Sequence, residues 1–194
     1  MSTPVDLQPA ARALATVVAG VRDDQLADPT PCTDSTVAAL LDHADGLALG
    51  LAGAGRKDLE AGSQQPVADS TALTPDWRQR IPARLDALVA VWRDPSAWTG
   101  MTRAGGLDMP AEVIGYVTVD ELVVHAWDLA VATGQSLDVD PTSVEAALSF
   151  ARQAVAEAPQ GTPGLFGPPH PVGPDAPPLH QLLALTGRNP HWRP

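Results

Sequence analysis

PAEVIGYVTVDELVVHAWDLAVA, residues Pro110 to Ala132, reads as one long helix whose apolar residues Ile114, Val117, Leu122 and Leu129 recur at helical spacing. On a helix that advances about 100° per residue, Glu121 and His125 fall roughly 20° either side of the direction of Ile114. A carboxylate and an imidazole therefore stand where the helix should bury leucine. An unpartnered buried carboxylate costs several kcal/mol, so a proton, an arginine or a metal ion must neutralise it. Residues four apart stand one above the other, about 5 to 6 Å between β-carbons, which lets Glu121 and His125 share one ion.

A third ligand is expected from another helix. Ser35 to Gly50 has helical periodicity, and His43 lies beside the Leu40/Leu47 edge of its apolar face. Ala39, Gly46 and Gly50 share that side, so little bulk surrounds the imidazole. Two histidines and one carboxylate leave a fourth position open for water or substrate, whereas structural zinc sites are closed by cysteine-rich sets of four. On spacing alone the plainer alternative stays open: a satisfied core histidine at position 43 and a hydrogen-bonded Glu121 and His125 pair.

Other side chains are candidates around this centre. Asp128, three residues beyond His125, is placed either to orient the imidazole or to anchor the helix end. Thr118 shares the face of Glu121 and either donates to that carboxylate or a substrate, or bonds the carbonyl one turn back. Arg78, Arg80 and Arg84 are weighed for an anionic substrate, with Arg84 preferred for its adjacency to Leu85 and Leu88. Tyr116 points to the far side of its helix and is left out. Cys32 reads as a small packing residue in a proline-rich turn, and His170, His180 and His191 as surface groups, with a fourth ligand from that tail as an option. No nucleophile-elbow sequence occurs.

Outward from these residues, the chain reads as helix after helix. The first is expected from about Leu7 to Val21, capped helices follow from Thr33 or Asp34 and from Thr74-Pro75, and Pro82 should kink the latter or mark its true start. Gly53 to Thr74 reads as a mobile connection, and Ala97 to Met109 as an extended excursion or hairpin. A fifth helix runs from Thr142 to about Glu157. Proline-rich Pro159 to Pro178 should lie across the bundle end as a cover, and Leu179 to Thr186 forms a short closing helix ended by Gly187.

The 194 residues, 44% of them hydrophobic, suffice for one core and suggest a single domain over 1–194. A net charge of -11 opposes the electrostatic attraction that dominates nucleic-acid binding, so DNA and RNA are not expected partners. Cys32 is the single cysteine, which excludes an intramolecular disulfide, and the start MSTPVDLQPA lacks a basic region followed by an apolar core. A cytoplasmic location is expected. No apolar run approaches the roughly 18 to 20 residues of a membrane span, so no membrane partner is expected either.

Taken together, these residues resemble the DinB/YfiT-like superfamily, in its branch with the metal-binding domain of mycothiol-dependent maleylpyruvate isomerase. The motifs are Thr30-Pro31-Cys32, Leu40 to His43 (LLDH), Val124 to Gln135 (VHAWDLAVATGQ) and Leu182 to Arg188 (LLALTGR). The resemblance implies an all-α, DinB-like four-helix bundle with a proline-rich C-terminal extension and a short closing helix. It implies a divalent metal, zinc by preference, held by His43, Glu121 and His125. It also implies a transferase or isomerase that joins a low-molecular-weight thiol, mycothiol, to a small electrophile; the alternative is a non-catalytic metal-binding or small-molecule-binding bundle, and a homodimer is left open.

Two departures stand out. Ser35 occupies the place of a tryptophan in similar sequences, and the further C-terminal domain of maleylpyruvate isomerase is not found here, so that isomerisation itself is not expected. Ser35, Gly46, Gly50 and the tail from Gly161 to Pro178 together suggest a roomy cavity, partly closed by the tail and sized for a thiol conjugate.

Overall fold

Periodic apolar runs separated by proline-rich breaks become, in the computed structural model, six α-helices and one short hairpin among the described residues. Those residues are 4–33, 35–61, 68–162 and 164–194. In chain order the elements are α1 (Gln8–Gly20), α2 (Val37–Gly55), α3 (Trp77–Trp92), β1 (Met101–Ala104), β2 (Leu107–Pro110), α4 (Ala111–Ala132), α5 (Pro141–Glu157) and α6 (Pro178–Leu185). Apart from one two-stranded hairpin, the fold is helical, as the sequence implies. Met101 pairs with Pro110 and Ala104 with Leu107 in the antiparallel hairpin.

α1 packs on α3 and α4, and α2 packs on the same two helices, which closes a ring of four. α5 lies outside against α4, and α6 against α5. Leu14, Leu40, Leu41, Ile81, Leu85, Leu88, Ile114 and Leu129 are buried at the centre of one continuous apolar cluster. Burying such a side chain contributes about 1.5–3 kcal/mol, which is why these positions decide the fold. Three helices surround α4, so it is buried far beyond one stripe; Val117, expected inward, is only half-buried.

Helix ends differ from expectation in instructive ways. α2 begins under Thr36, whose hydroxyl accepts the Ala39 N–H at 3.3 Å, and not under Thr33; Asp34 lies outside the described residues. It also runs past Gly50 to Gly55, where the missing side chain of Gly55 lets Val91 and Trp92 approach, and Trp92 Nε1 donates to the Leu51 carbonyl at 3.0 Å. The stretch 62–67 of the expected connection lies outside the described residues. α3 starts at Trp77, after a Thr74 to Asp76 hydrogen bond, and continues unbroken through Pro82, so that proline does not mark its start.

With that extension, α2 is long and apolar enough to cross a membrane by length and composition alone. A helix ending at Gly50, as the sequence suggests, would be too short for this. Here two-thirds of it is buried against the rest of the fold, as expected for a core helix, and it carries buried Asp45 paired with Arg80 and Arg84 at 2.7 Å each.

The hairpin and α4 meet through aromatic rings. A 3-10 turn, Pro95–Trp98, sets Trp98 edge-on to Trp92 with ring centres 5.1 Å apart, and Trp98 Nε1 donates to the Trp92 carbonyl at 2.8 Å. Trp98 then lies directly on α4 at Gly115, where an added Cβ would stand 2.2 Å from the ring. Tyr116, on the far side of α4 as its angle indicates, packs edge-on against the same ring at 6.1 Å. Gly115→Ala is expected to destabilise the protein by about 1–3 kcal/mol through this overpacking, read as a lower urea midpoint at unchanged slope.

Candidate metal centre

α2 supplies His43, and one turn of α4 supplies Glu121 and His125. Their ligand atoms all lie within 4.8 Å of one another. The two imidazoles stand perpendicular with centres 5.1 Å apart, and His125 Nε2 lies 2.9 Å from Glu121 Oε2. On the opposite side of the ring, Nδ1 donates to Asp128 Oδ2 at 3.0 Å. Helix geometry explains the sandwich: positions 121, 125 and 128 are spaced by four and three, so the ring at 125 has a carboxylate one turn below and another nearly one turn above. His125 is buried, while His43 and Glu121 are half-buried, so the centre is approached from their side.

The residues fit a divalent metal. Ligand atoms around a tetrahedral zinc at its usual bond lengths stand roughly 3.4 Å from one another, and the three donors already lie within reach of that arrangement. Asp128 accepts the hydrogen bond of Nδ1–H and so directs Nε2 inward, the carboxylate–histidine support common behind metal-binding imidazoles.

Electrostatics show what holds the donors together without a metal. Burial alone would lower the His125 pKa, but the Asp128 and Glu121 hydrogen bonds and charges outweigh it and raise it to about 9. Glu121 resists the upward push of burial through its hydrogen bond to His125 and ends below its ordinary value. An imidazolium thus neutralises the buried carboxylate, so the proton and the metal compete for one place. Neighbouring Asp120, also buried, is pushed well above the usual carboxylate range by desolvation and then by Glu121.

Other candidates are placed elsewhere. The Thr118 hydroxyl donates to the Ile114 carbonyl at 2.7 Å, one turn back, and not to Glu121. Arg84 donates to both the backbone carbonyl and the carboxylate of Asp45, at 3.2 and 2.7 Å, and Arg80 binds the same carboxylate oxygen, so the preferred anion-binding arginine is taken up by an internal ion pair. Arg78 bonds the Val21 carbonyl and Asp23. His180 and His191 stack edge-on 5.8 Å apart in the tail, and among the described residues neither they nor His170 join the metal-ligand group. Cys32 is half-buried in its turn; burial raises its thiol pKa against the opposing pull of Arg188, which favours the protonated thiol.

Among the described residues, the cavity that Glu121 and His125 line is small rather than roomy. Leu14, Leu47, Leu85 and Leu88 enclose, with Glu121 and His125, an apolar cavity of about 10 Å³, room for about one water molecule. Leucines from three helices line it, and Ser35 is itself buried just before α2.

Sequence reasoning also missed residues. Asp45 carried a signal, since a buried acid on α2 needs cations from a neighbour, and Arg80 and Arg84 have the four-residue spacing that aims two guanidinium groups at one point. Arg188, the last residue of LLALTGR, is another: its Nη2 donates to Asp128 Oδ2 at 3.2 Å.

Two outcomes are expected. His125→Ala should lower zinc affinity more than Asp128→Ala, the latter by about 10- to 100-fold, in a competition titration with a chelating dye. Because His125 holds its proton up to about pH 9, zinc uptake at pH 7.5 should release protons and tighten as pH rises to about 9, as calorimetry in buffers of different ionisation enthalpy would register. The sign for stability is the reverse: a raised histidine pKa stabilises the metal-free fold fully below about 6.5, and this contribution is lost as pH climbs through about 9.

The chain is similar to known proteins in sequence and in fold. The sequence profile of the mycothiol maleylpyruvate isomerase N-terminal domain matches residues 7–130. Two uncharacterized proteins of Mycobacterium tuberculosis, MT0763 of strain CDC 1551 and Rv0738 of strain H37Rv, are each 32% identical over 192 residues, covering 93% of this chain and 94% of theirs. The crystal structure of the mycothiol-dependent maleylpyruvate isomerase superposes with a TM-score of 0.57 at 15% identity, over 78% of this chain and 69% of that one. A histidine-to-alanine mutant of that enzyme superposes with a TM-score of 0.58 at the same identity and coverage. At that identity the superposition speaks for the fold, and the profile match over most of the chain speaks for descent: the chain belongs to the family of the mycothiol maleylpyruvate isomerase N-terminal domain.

Proposed function

We propose that this protein is a metal-dependent enzyme that uses a low-molecular-weight thiol, mycothiol, in transfer to or isomerisation of a small electrophile. The observation that carries the reading is the convergence of His43, Glu121 and His125, with Asp128 behind the imidazole. Two imidazoles and one carboxylate suit zinc and leave a coordination position free. A cation bound there supplies Lewis acidity that favours a thiolate at neutral pH.

The chain's own residues do the rest. His125, fixed through Nδ1 by Asp128, presents Nε2 in one orientation; Glu121 serves as a ligand and balances charge rather than acting as a base. Leu14, Leu47, Leu85 and Leu88 keep bulk water from the inner side of the centre, and reactants approach from the half-buried side of His43 and Glu121. Cys32, with its thiol kept protonated, does not compete with an incoming thiol for the electrophile.

A second reading has one observation in its favour, the cavity of about 10 Å³ beside the ligands, which is far too small to enclose a thiol conjugate. On that reading the bundle binds a metal or small molecule without catalysis.

Metal analysis of the purified protein, followed by a thiol-consumption assay with small electrophiles, separates the two. Consumption should require zinc and mycothiol and fall by at least about 100-fold in His125→Ala, as expected for loss of a ligand. Stoichiometric zinc with no mycothiol binding by calorimetry would leave the non-catalytic module as the better reading.

A further inference from the structure

The closing motif LLALTGR reaches the metal centre through its last residue. α6 ends under Thr186, and Gly187, at φ 81°, turns the chain so that the Arg188 N–H bonds the Leu183 carbonyl at 2.8 Å. A side chain at Gly187 would also collide with the tail, its Cβ falling 2.8 Å from Gly167 Cα. The turn aims the Arg188 side chain inward. Its Nη1 donates to the Thr186 carbonyl at 2.9 Å and its Nη2 to Asp128 Oδ2 at 3.2 Å.

We infer that Arg188 is a positioning residue of the metal centre, acting through Asp128 on His125. Asp128 has no exposure to solvent, and its Oδ2 accepts from both the imidazole Nδ1 and the guanidinium Nη2. Two donors on one oxygen, from two elements, fix where that oxygen stands, and the oxygen fixes the ring. Asp128 Oδ1 and Arg188 Nε, the remaining atoms of the same pair, have no hydrogen-bond partner. They are the two atoms that a two-point guanidinium–carboxylate fork would join, so the pair is equipped for a tighter clamp than the single bond it makes. Without the guanidinium, the imidazole would be the one remaining donor to a buried carboxylate, which would then shift toward other donors and carry the ring with it.

This inference rests on the metal-centre reading and not on the thiol chemistry. It also has a reciprocal form: if docking of the Pro178–Arg188 segment favours metal binding, metal binding must favour docking of that segment by the same factor.

The sign of the effect makes the test sharp. As a bare charge, a guanidinium repels a nearby divalent cation, so its removal would tighten zinc binding; as a positioning group, its removal weakens it. Zinc affinity is measured by dye competition for wild type, Arg188→Met, Arg188→Lys, Asp128→Asn and the Arg188→Met/Asp128→Asn double variant. The expected result is about tenfold weaker binding in Arg188→Met, partial recovery in Arg188→Lys, and no further loss when Arg188→Met is added to Asp128→Asn. Unchanged or tighter binding in Arg188→Met overturns the inference, as does full additivity of the two substitutions, and either result leaves the metal centre standing. Wild-type protein that takes up no zinc overturns both. Should Arg188→Met fail to fold, amide hydrogen exchange on wild type decides: zinc should slow exchange at Gly187 and Arg188, and equal rates with and without zinc overturn the inference.

Discussion

The centre of this molecule depends on one imidazole gripped from both sides by carboxylates of its own helix. Glu121 and Asp128 stand at the two helical spacings that bring side chains into register with position 125, so the grip is intrinsic to a straight α4. What the helix cannot supply is the desolvation that makes the grip strong or the third ligand that makes it useful. α1, α2 and α5 supply the first by burying α4, and α2 supplies the second through His43. The ring of four helices is therefore the device that gives a local sequence pattern its chemistry.

Charge follows the same logic. Glu121, Asp128 and Asp120 gather on one segment of α4, and the cations that compensate them are few: the His125 imidazolium and Arg188 from the tail. Arg80 and Arg84, by contrast, answer a second buried acid, Asp45, between α2 and α3. The Asp45 centre thus pins α2 to α3, and a helix with the composition of a membrane span is held within the fold.

Much of this was legible in the sequence. The stripe Ile114, Leu122 and Leu129 places Glu121 and His125 inward, and the proline and glycine breaks mark every helix of the ring. Asp128 was visible as one of two options. What could not be read was long-range: that Arg188, sixty residues beyond Asp128, returns to it, that Arg84 is consumed by Asp45, and that the cavity lined by leucines from three helices is small. Periodicity reports which face of a helix is buried, but not which neighbour buries it. The end of α2 shows the same limit, since Gly53 and Gly55 look like linker residues until Ala61 is seen against the first and Trp92 against the second.

The contact between Gly115 and Trp98 bears on the centre from a distance. Gly115 lies on α4 six residues before Glu121, about 9 Å along the axis, and the indole occupies the space a side chain would need there. Trp98 is itself fastened to the end of α3 through its Nε1. The ring therefore works as a key in a slot: turning α4 by a single residue would swing Glu121 and His125 through about 100° and at the same time drive the Tyr116 side chain into the indole. The angular setting of Glu121 and His125 is indexed by an aromatic ring well away from them.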